Sequence, residues 1–258
     1  MKLTTLMENT TLSPELTAEH GLSLFVEAAG RRFLFDTGAT GAFADNAAVL
    51  GVDLAAAEFA ILSHGHYDHG GGLARFLRIN PQAPVYASRH CFDECRNASG
   101  RYIGLPPGLK DCGRLVLTGD EYAIAPGLTL HSCNARRERA DPWGLTRREN
   151  GIPIPDDFRH EQYLLIEEAG KRILLSGCSH KGIVNIVGWF RPDILVGGFH
   201  FKSLPPEDPR LHAFGEALAR SGTTFYTGHC TGQPQFDALK PLLGDKLHPI
   251  STGTVLEL

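Results

Sequence analysis

Several features that would classify a chain quickly are missing from this one. No apolar run approaches the roughly 18–20 residues that a membrane-crossing helix needs. The opening MKLTTLMENTTLSPEL has neither a long apolar core nor a small-residue cleavage site, so no signal peptide is expected. These absences predict a soluble, cytoplasmic protein with no membrane partner. Charge of one sign is not in excess either. The 25 basic and 29 acidic residues leave a formal charge of -4, which argues against a nucleic-acid partner, where a basic stripe is expected. There is no Walker-type phosphate loop and no GxGxxG dinucleotide fingerprint. Of the six cysteines, no two have the spacing of a zinc knuckle, and Cys91, Cys95, Cys112 and Cys133 read as small buried hydrophobes rather than disulfide partners.

What is present is a chain of 258 residues, 42% hydrophobic, long enough to bury a sizeable core. Apolar runs at 22–28 and 32–38 predict a hairpin about Ala29–Gly30–Arg31, and those at 162–168 and 171–177 a second hairpin about Ala169–Gly170. Further strands are expected at 59–63, 84–88, 114–119, 121–125, 128–133, 193–200 and 223–230, with a short one near the C-terminus. Helices are expected at 42–50, 73–79, 180–190, 207–221 and 233–243. Two successive halves of this kind predict one domain over 1–258 with helix–sheet–sheet–helix layering. The polar stretch 134–161 reads as one long loop.

The densest chemistry lies in LSHGHYDHGGGL, residues 62–73. Buried histidines and carboxylates destabilise a fold unless partnered, and a metal ion satisfies several at once. His64 and His66, two apart in an extended segment, can face the same way and share one ion. Asp68 and His69 then turn toward a second. Imidazole with carboxylate suits zinc first, with iron or manganese as alternatives. Other polar residues recur where a strand ends beside glycine: Asp36, Cys178, His180, His200 and His229. Strand ends are where ligands collect in layered α/β folds.

LSHGHYDHGGG resembles the HxHxDH signature of the metallo-β-lactamase superfamily, and FDTG resembles its early aspartate motif. GCSHKGIVNIV, GGFH and TGHCTG are similar to a narrower branch, which comprises 7,8-dihydropterin-6-methyl-4-(β-D-ribofuranosyl)aminobenzene 5′-phosphate synthases and metal-dependent hydrolases. The resemblance implies a four-layer αββα sandwich and two divalent transition-metal ions. It implies His64 and His66 as ligands of the first ion, Asp68 and His69 as ligands of the second, and His229 as the last histidine ligand. Asp68 is taken to be catalytic as well. Asp36 is expected behind the ligands, orienting the loop. Where most members carry a histidine after a middle strand, this chain has HSCNARRE; His131 falls within the strand, and His180 is expected to supply the missing imidazole. At the position of the bridging aspartate stands Cys178, as a ligand or as a wall residue. His200 is open between a substrate contact, a group behind the ligands and a core histidine. His20, His90, His160, His212 and His248 show no ligand context, and Cys230 is expected to point away from the metals.

The loop 134–161 carries Arg136, Arg137, Arg139, Arg147 and Arg148 together with Trp143. Clustered arginines suit phosphate; the alternative is a solvated loop. The function expected is a dinuclear metal-dependent hydrolase or transferase acting on a phosphorylated small molecule. In the synthase version that the resemblance implies, an arylamine nitrogen displaces pyrophosphate. The alternatives are a thioesterase- or lactonase-type hydrolase, and a metal-containing binding module without turnover.

Overall fold

A computed structural model of the chain describes residues 1–136 and 144–258. The first half runs β1 (Lys2–Met7), β2 (Ser23–Ala28), β3 (Arg31–Phe35), α1 (Ala42–Val49), β4 (Phe59–Ile61), α2 (Tyr67–Gly70), α3 (Leu73–Ile79), β5 (Val85–Ser88), β6 (Glu94–Arg96) and β7 (Leu115–Thr118). Next come β8 (Glu121–Ala125), β9 (Leu128–His131), β10 (Thr146–Glu149), β11 (Ile152–Pro155), β12 (Tyr163–Glu168) and β13 (Lys171–Leu175). The chain closes with α4 (Ile183–Phe190), β14 (Ile194–Val196), α5 (Pro209–Ala219), β15 (Thr224–Thr227), α6 (Gln233–Leu243), β16 (Leu247–Pro249) and β17 (Val255–Glu257).

Two seven-stranded sheets result, ordered β17-β1-β2-β3-β4-β5-β7 and β16-β15-β14-β13-β12-β9-β8. Their strands are apolar on both faces, and alternation sorts the side chains. Phe33 and Phe35 of β3 meet Ile173 and Leu175 of β13 in the core between the sheets. Leu34 faces outward onto α1 and α3, where Phe43, Leu73 and Phe76 cover it. Leu174 faces the opposite way, onto a layer containing Ile186, Leu218 and Leu239 of α4, α5 and α6. The order of layers is therefore helix, sheet, sheet, helix, as the sequence predicts.

Both expected hairpins form, with Ala29–Gly30 and Ala169–Gly170 as their turns. In each sheet the pairing then becomes parallel: β3 to β4, β5 and β7, and β13 to β14, β15 and β16. Parallel pairing directs the ends of β3, β4, β13, β14 and β15 to one edge of the sandwich.

Five strands were not expected from the sequence: β1, β6, β10, β11 and β16. β1 lies between β17 and β2, and its Thr4 and Thr5 are buried despite their polarity. The stretch 134–161 is also not one open loop. β10 and β11 form a hairpin that extends β6 into a three-stranded sheet. Its turn is Asn150–Gly151, both with positive φ (51° and 80°), as a type I′ turn requires. The NG signal was in the sequence, masked by the polar residues around it. No helix among the described residues is long and apolar enough to cross a membrane.

Candidate metal centre

Asp36 follows β3, His64 and His66 follow β4, and Asp68 and His69 lie on α2. Cys178 and His180 follow β13, His200 follows β14, and His229 opens a short 3₁₀ turn after β15. The glycines after His69 serve a close approach: a Cβ on Gly71 would lie 2.1 Å from the carbonyl oxygen of Ala39, and one on Gly72 would lie 2.2 Å from that of Thr37. The histidine loop is thereby pressed against the loop that carries Asp36.

Asp36 is wholly buried and organises two histidines. Its Oδ1 accepts the Ser63 amide at 2.7 Å, and its Oδ2 accepts the Ser63 hydroxyl at 2.6 Å. The same Oδ2 lies 2.7 Å from His69 Nδ1, which must donate to it. The Ser63 hydroxyl, its own proton given to Asp36, accepts from His64 Nδ1 at 2.9 Å. Both rings therefore carry the Nδ1 proton and turn Nε2 inward, the arrangement by which a carboxylate orients a ligand imidazole.

His229 is held from the N-terminal segment. Asn9 Oδ1 lies 2.9 Å from its Nδ1, and the Glu8 carboxylate accepts its amide. Its Nε2 faces His69 Nε2 at 3.2 Å and Asp68 Oδ2 at 3.4 Å. Cys178 Sγ stands 3.1 Å from His69 Nε2, and His180 Nε2 stands 3.3 Å from His64 Nε2. Donor atoms of His64, Cys178 and His180 lie within 4.8 Å of one another, as do those of His69, Cys178 and His229, and those of His64, Asp68 and His69. Cys178 thus belongs to two of these groups.

The electrostatics match the geometry. Burial, then the imidazoles of His69, His66 and His180, hold His64 well below the ordinary histidine range. Burial and then His160 push His66 down to about 3. His180 is lowered by burial and by His200, and His200 is lowered by burial to about 4. Burial alone would raise Asp68, but His229, 3.4 Å away, and the neighbouring rings outweigh it and keep the carboxyl ionised. Burial would likewise lower His69, yet Asp36 and Asp68 raise it, so positive charge is favoured at that spot. Burial, then Cys230, raises the Cys178 thiol.

The neutral rings of His64, His66 and His180 and the ionised Asp68 carboxylate offer lone pairs to the space between them. His66 Nε2 and His180 Nδ1 are also buried without a hydrogen-bond partner among the described residues. Such atoms are costly unless a cation completes them. The residues therefore fit divalent transition metals.

The predicted ligands converge here with Asp36 behind them, His66 by its ring, 4.6 Å from that of His64 and 4.9 Å from that of His180, although its donor nitrogen groups with those of Cys95, Asp156 and His160. His200 packs against His180, ring centres 4.2 Å apart, and lines the same cavity of about 220 Å³. Arg136 does not: it lines a different cavity. Arg137, Arg139 and Trp143 lie outside the described residues. Arg147 is paired with Asp157 and Glu149, and Arg148 lies 3.6 Å from Glu94, so both serve the hairpin. His131 ends β9 away from the cluster, against Phe190.

Two histidines without an expected role belong beside the cluster. His20 Nε2 is 3.3 Å from Asp68 Oδ2, and His160 Nδ1 accepts the Gly65 amide at 3.1 Å beside His66. Cys230 also differs from expectation. It lines the metal cavity, its thiol meeting the Cys178 carbonyl at 3.6 Å. Strand alternation does not apply there because His229–Thr231 is a 3₁₀ turn. Lys202 lines the cavity as well, and no carboxylate pairs with it among the described residues. Glu8 and Asn9, which also hold His229, follow a strand too polar to have marked them in the sequence.

An αββα sandwich with a histidine, aspartate and cysteine cluster at its strand ends defines a metallohydrolase-type protein. The chain belongs to the metallo-β-lactamase superfamily, whose family model matches residues 16–196. It is 31% identical to the 7,8-dihydropterin-6-methyl-4-(β-D-ribofuranosyl)-aminobenzene-5′-phosphate synthase of Methanocaldococcus jannaschii, over 83% of this chain and 82% of that one. Among solved structures it is similar to Tm1679, a metal-dependent hydrolase of the β-lactamase superfamily (TM-score 0.85, 26% identity, 100% and 99% of the two chains). The fold is also that of Zn(2+)-bound PqqB from Methylobacterium extorquens (TM-score 0.59, 13% identity, 100% of each chain).

Proposed function

We propose that the chain is a dinuclear metal-dependent hydrolase or transferase acting on a phosphorylated small molecule. The observation that carries this reading is the convergence of His69 Nε2, His229 Nε2, Asp68 Oδ2 and Cys178 Sγ, next to the facing pair His64 Nε2 and His180 Nε2. In this reading His64, His66 and His180 hold one ion, and Asp68, His69 and His229 hold the other. Cys178 stands between them. Zinc is the first choice, because thiolate and imidazole suit it.

Bound there, a pair of divalent ions supplies Lewis-acid polarisation of a phosphoryl or carbonyl oxygen. The chain's own groups do the rest. Asp36 and Asn9 fix the tautomers of His69 and His229, so that the ligand set is assembled before substrate arrives. Lys202 offers a positive charge at the cavity wall for a phosphate of the substrate, and His20 and His200 border the same space. Asp68, ionised and within reach of the cavity, is the candidate to accept a hydrogen bond from the attacking nucleophile and orient it. A phosphorylated substrate also agrees with the 5′-phosphate in the name of the Methanocaldococcus relative.

The test is a panel of phosphodiesters, thioesters, lactones and a dihydropterin pyrophosphate with an arylamine, assayed on protein of measured metal content. Turnover of phosphorylated compounds above all others supports the reading. Thioesters or lactones outperforming every phosphate compound would overturn it.

A further inference from the structure

A second cavity, of about 380 Å³, opens at the same end of the sandwich, and no metal-ligand candidate lines it. The segment 157–161 forms the partition. Phe158 stacks on His180 at 4.7 Å, and His160 sits 5.0 Å from His66, both on the metal side. Asp157 and Arg159, alternating with them, line the second cavity. Lys181, directly after His180, lines it too.

The charge on this wall is unbalanced. Arg89 and Arg136 pair with no carboxylate among the described residues; Arg89 Nε reaches only the Thr118 carbonyl, at 3.4 Å. Lys181 is buried, and its ammonium donates only to neutral oxygens: the Ser132 carbonyl at 2.5 Å, Asn134 Oδ1 at 2.9 Å and the Glu161 carbonyl at 3.2 Å. Of the two lining carboxylates, Asp157 is neutralised by Arg147 at 3.0 Å. Arg159 is likewise offset, by Asp93 at 2.6 Å. Three cations thus face the single carboxylate of Asp120, which accepts the Ser132 hydroxyl at 2.8 Å. Two forked guanidiniums are the donor set for a tetrahedral oxyanion, and the buried ammonium of Lys181, its three protons already given to neutral oxygens, adds its positive charge. Asp120 leaves an acceptor for a hydroxyl on the same ligand.

We propose that this cavity is a second binding site, independent of the metals, for the phosphate of a small hydroxylated phosphate monoester. The ligand is either a free effector or the far end of a substrate whose reacting group lies at the metals; the phosphate chemistry is common to both.

The test is calorimetric titration of the metal-loaded protein with inorganic phosphate and with glycerol 3-phosphate, repeated after chelation. A saturable site that survives chelation is expected. Its affinity should fall at least tenfold in Arg89→Gln/Arg136→Gln, both exposed side chains, and stay unchanged in Lys202→Ala. Arg136→Glu alone should weaken it in the same direction, which guards against a misfolded double variant. Glycerol 3-phosphate competing with a phosphorylated substrate in the metal-loaded enzyme marks a substrate subsite; a change in kcat without competition marks an effector, and either supports the site. Loss of all phosphate binding on chelation would overturn the proposal while leaving the metal-centre reading standing. So would a chelation-resistant site indifferent to both arginines. Turnover failure with this site intact would do the reverse.

Discussion

His69 Nε2 and His229 Nε2 stand 3.2 Å apart, and each ring's other nitrogen faces a side-chain oxygen behind it, Asp36 Oδ2 for His69 and Asn9 Oδ1 for His229. Asp68 Oδ2 and Cys178 Sγ border the same spot, and Asp36 and Asp68 favour positive charge on it, which a metal cation held by both Nε2 atoms would supply. The first three predictions follow from this relationship.

Asp36→Asn removes the acceptor that holds both His69 and, through Ser63, His64. Metal affinity should fall about 10–100-fold, the usual cost of losing a ligand's hydrogen-bonding partner. Competition with a chromophoric chelator measures it. An unchanged affinity would show that the ligands orient themselves.

Asn9→Ala frees His229 to take either tautomer. Affinity for one of the two ions should fall within the same range, with Asn9→Asp restoring most of it. The readout is metal stoichiometry under a fixed chelator concentration, which a merely structural role for Asn9 would leave at its wild-type value.

Cys178 lies in two donor groups, His64–Cys178–His180 and His69–Cys178–His229. Cobalt-substituted protein should therefore show sulfur-to-metal charge-transfer absorption that disappears in Cys178→Ser. A spectrum that does not change would make Cys178 a wall residue.

Lys202→Ala should raise KM for a phosphorylated substrate and leave metal content intact, the signature of lost uniform binding. Equal KM values in variant and wild type would remove Lys202 from substrate recognition.

The core between the sheets rests on pairs such as Phe33 and Phe59, stacked at 4.9 Å. Phe33 is fully buried. Phe33→Ala should cost about 3–5 kcal/mol, read as a lower midpoint in chemical denaturation.

Much of this was legible in the sequence because local rules decided it. The histidine loop, the two Ala–Gly hairpins and the terminal helix 233–243 are set by short-range pattern, and the structure places them there. What was hidden depends on distant contacts. β1 looks too polar for a strand between two others until β17, from the other end of the chain, pairs with it. Asn9 has no meaning without His229, and His20 none without Asp68. Arg136 carried the right chemistry, but the partition at 157–161 places it in a cavity apart from the metals. Cys230 was misdirected by applying strand alternation to a residue in a 3₁₀ turn.

The central claim is a two-metal centre built on His64, His66, Asp68, His69, His180 and His229, and elemental analysis tests it most directly. Purified, reconstituted protein should contain close to two equivalents of zinc, iron or manganese per chain, and His66→Ala combined with Asp68→Ala should lose most of it. A folded wild-type protein that remains metal-free after reconstitution would contradict the account.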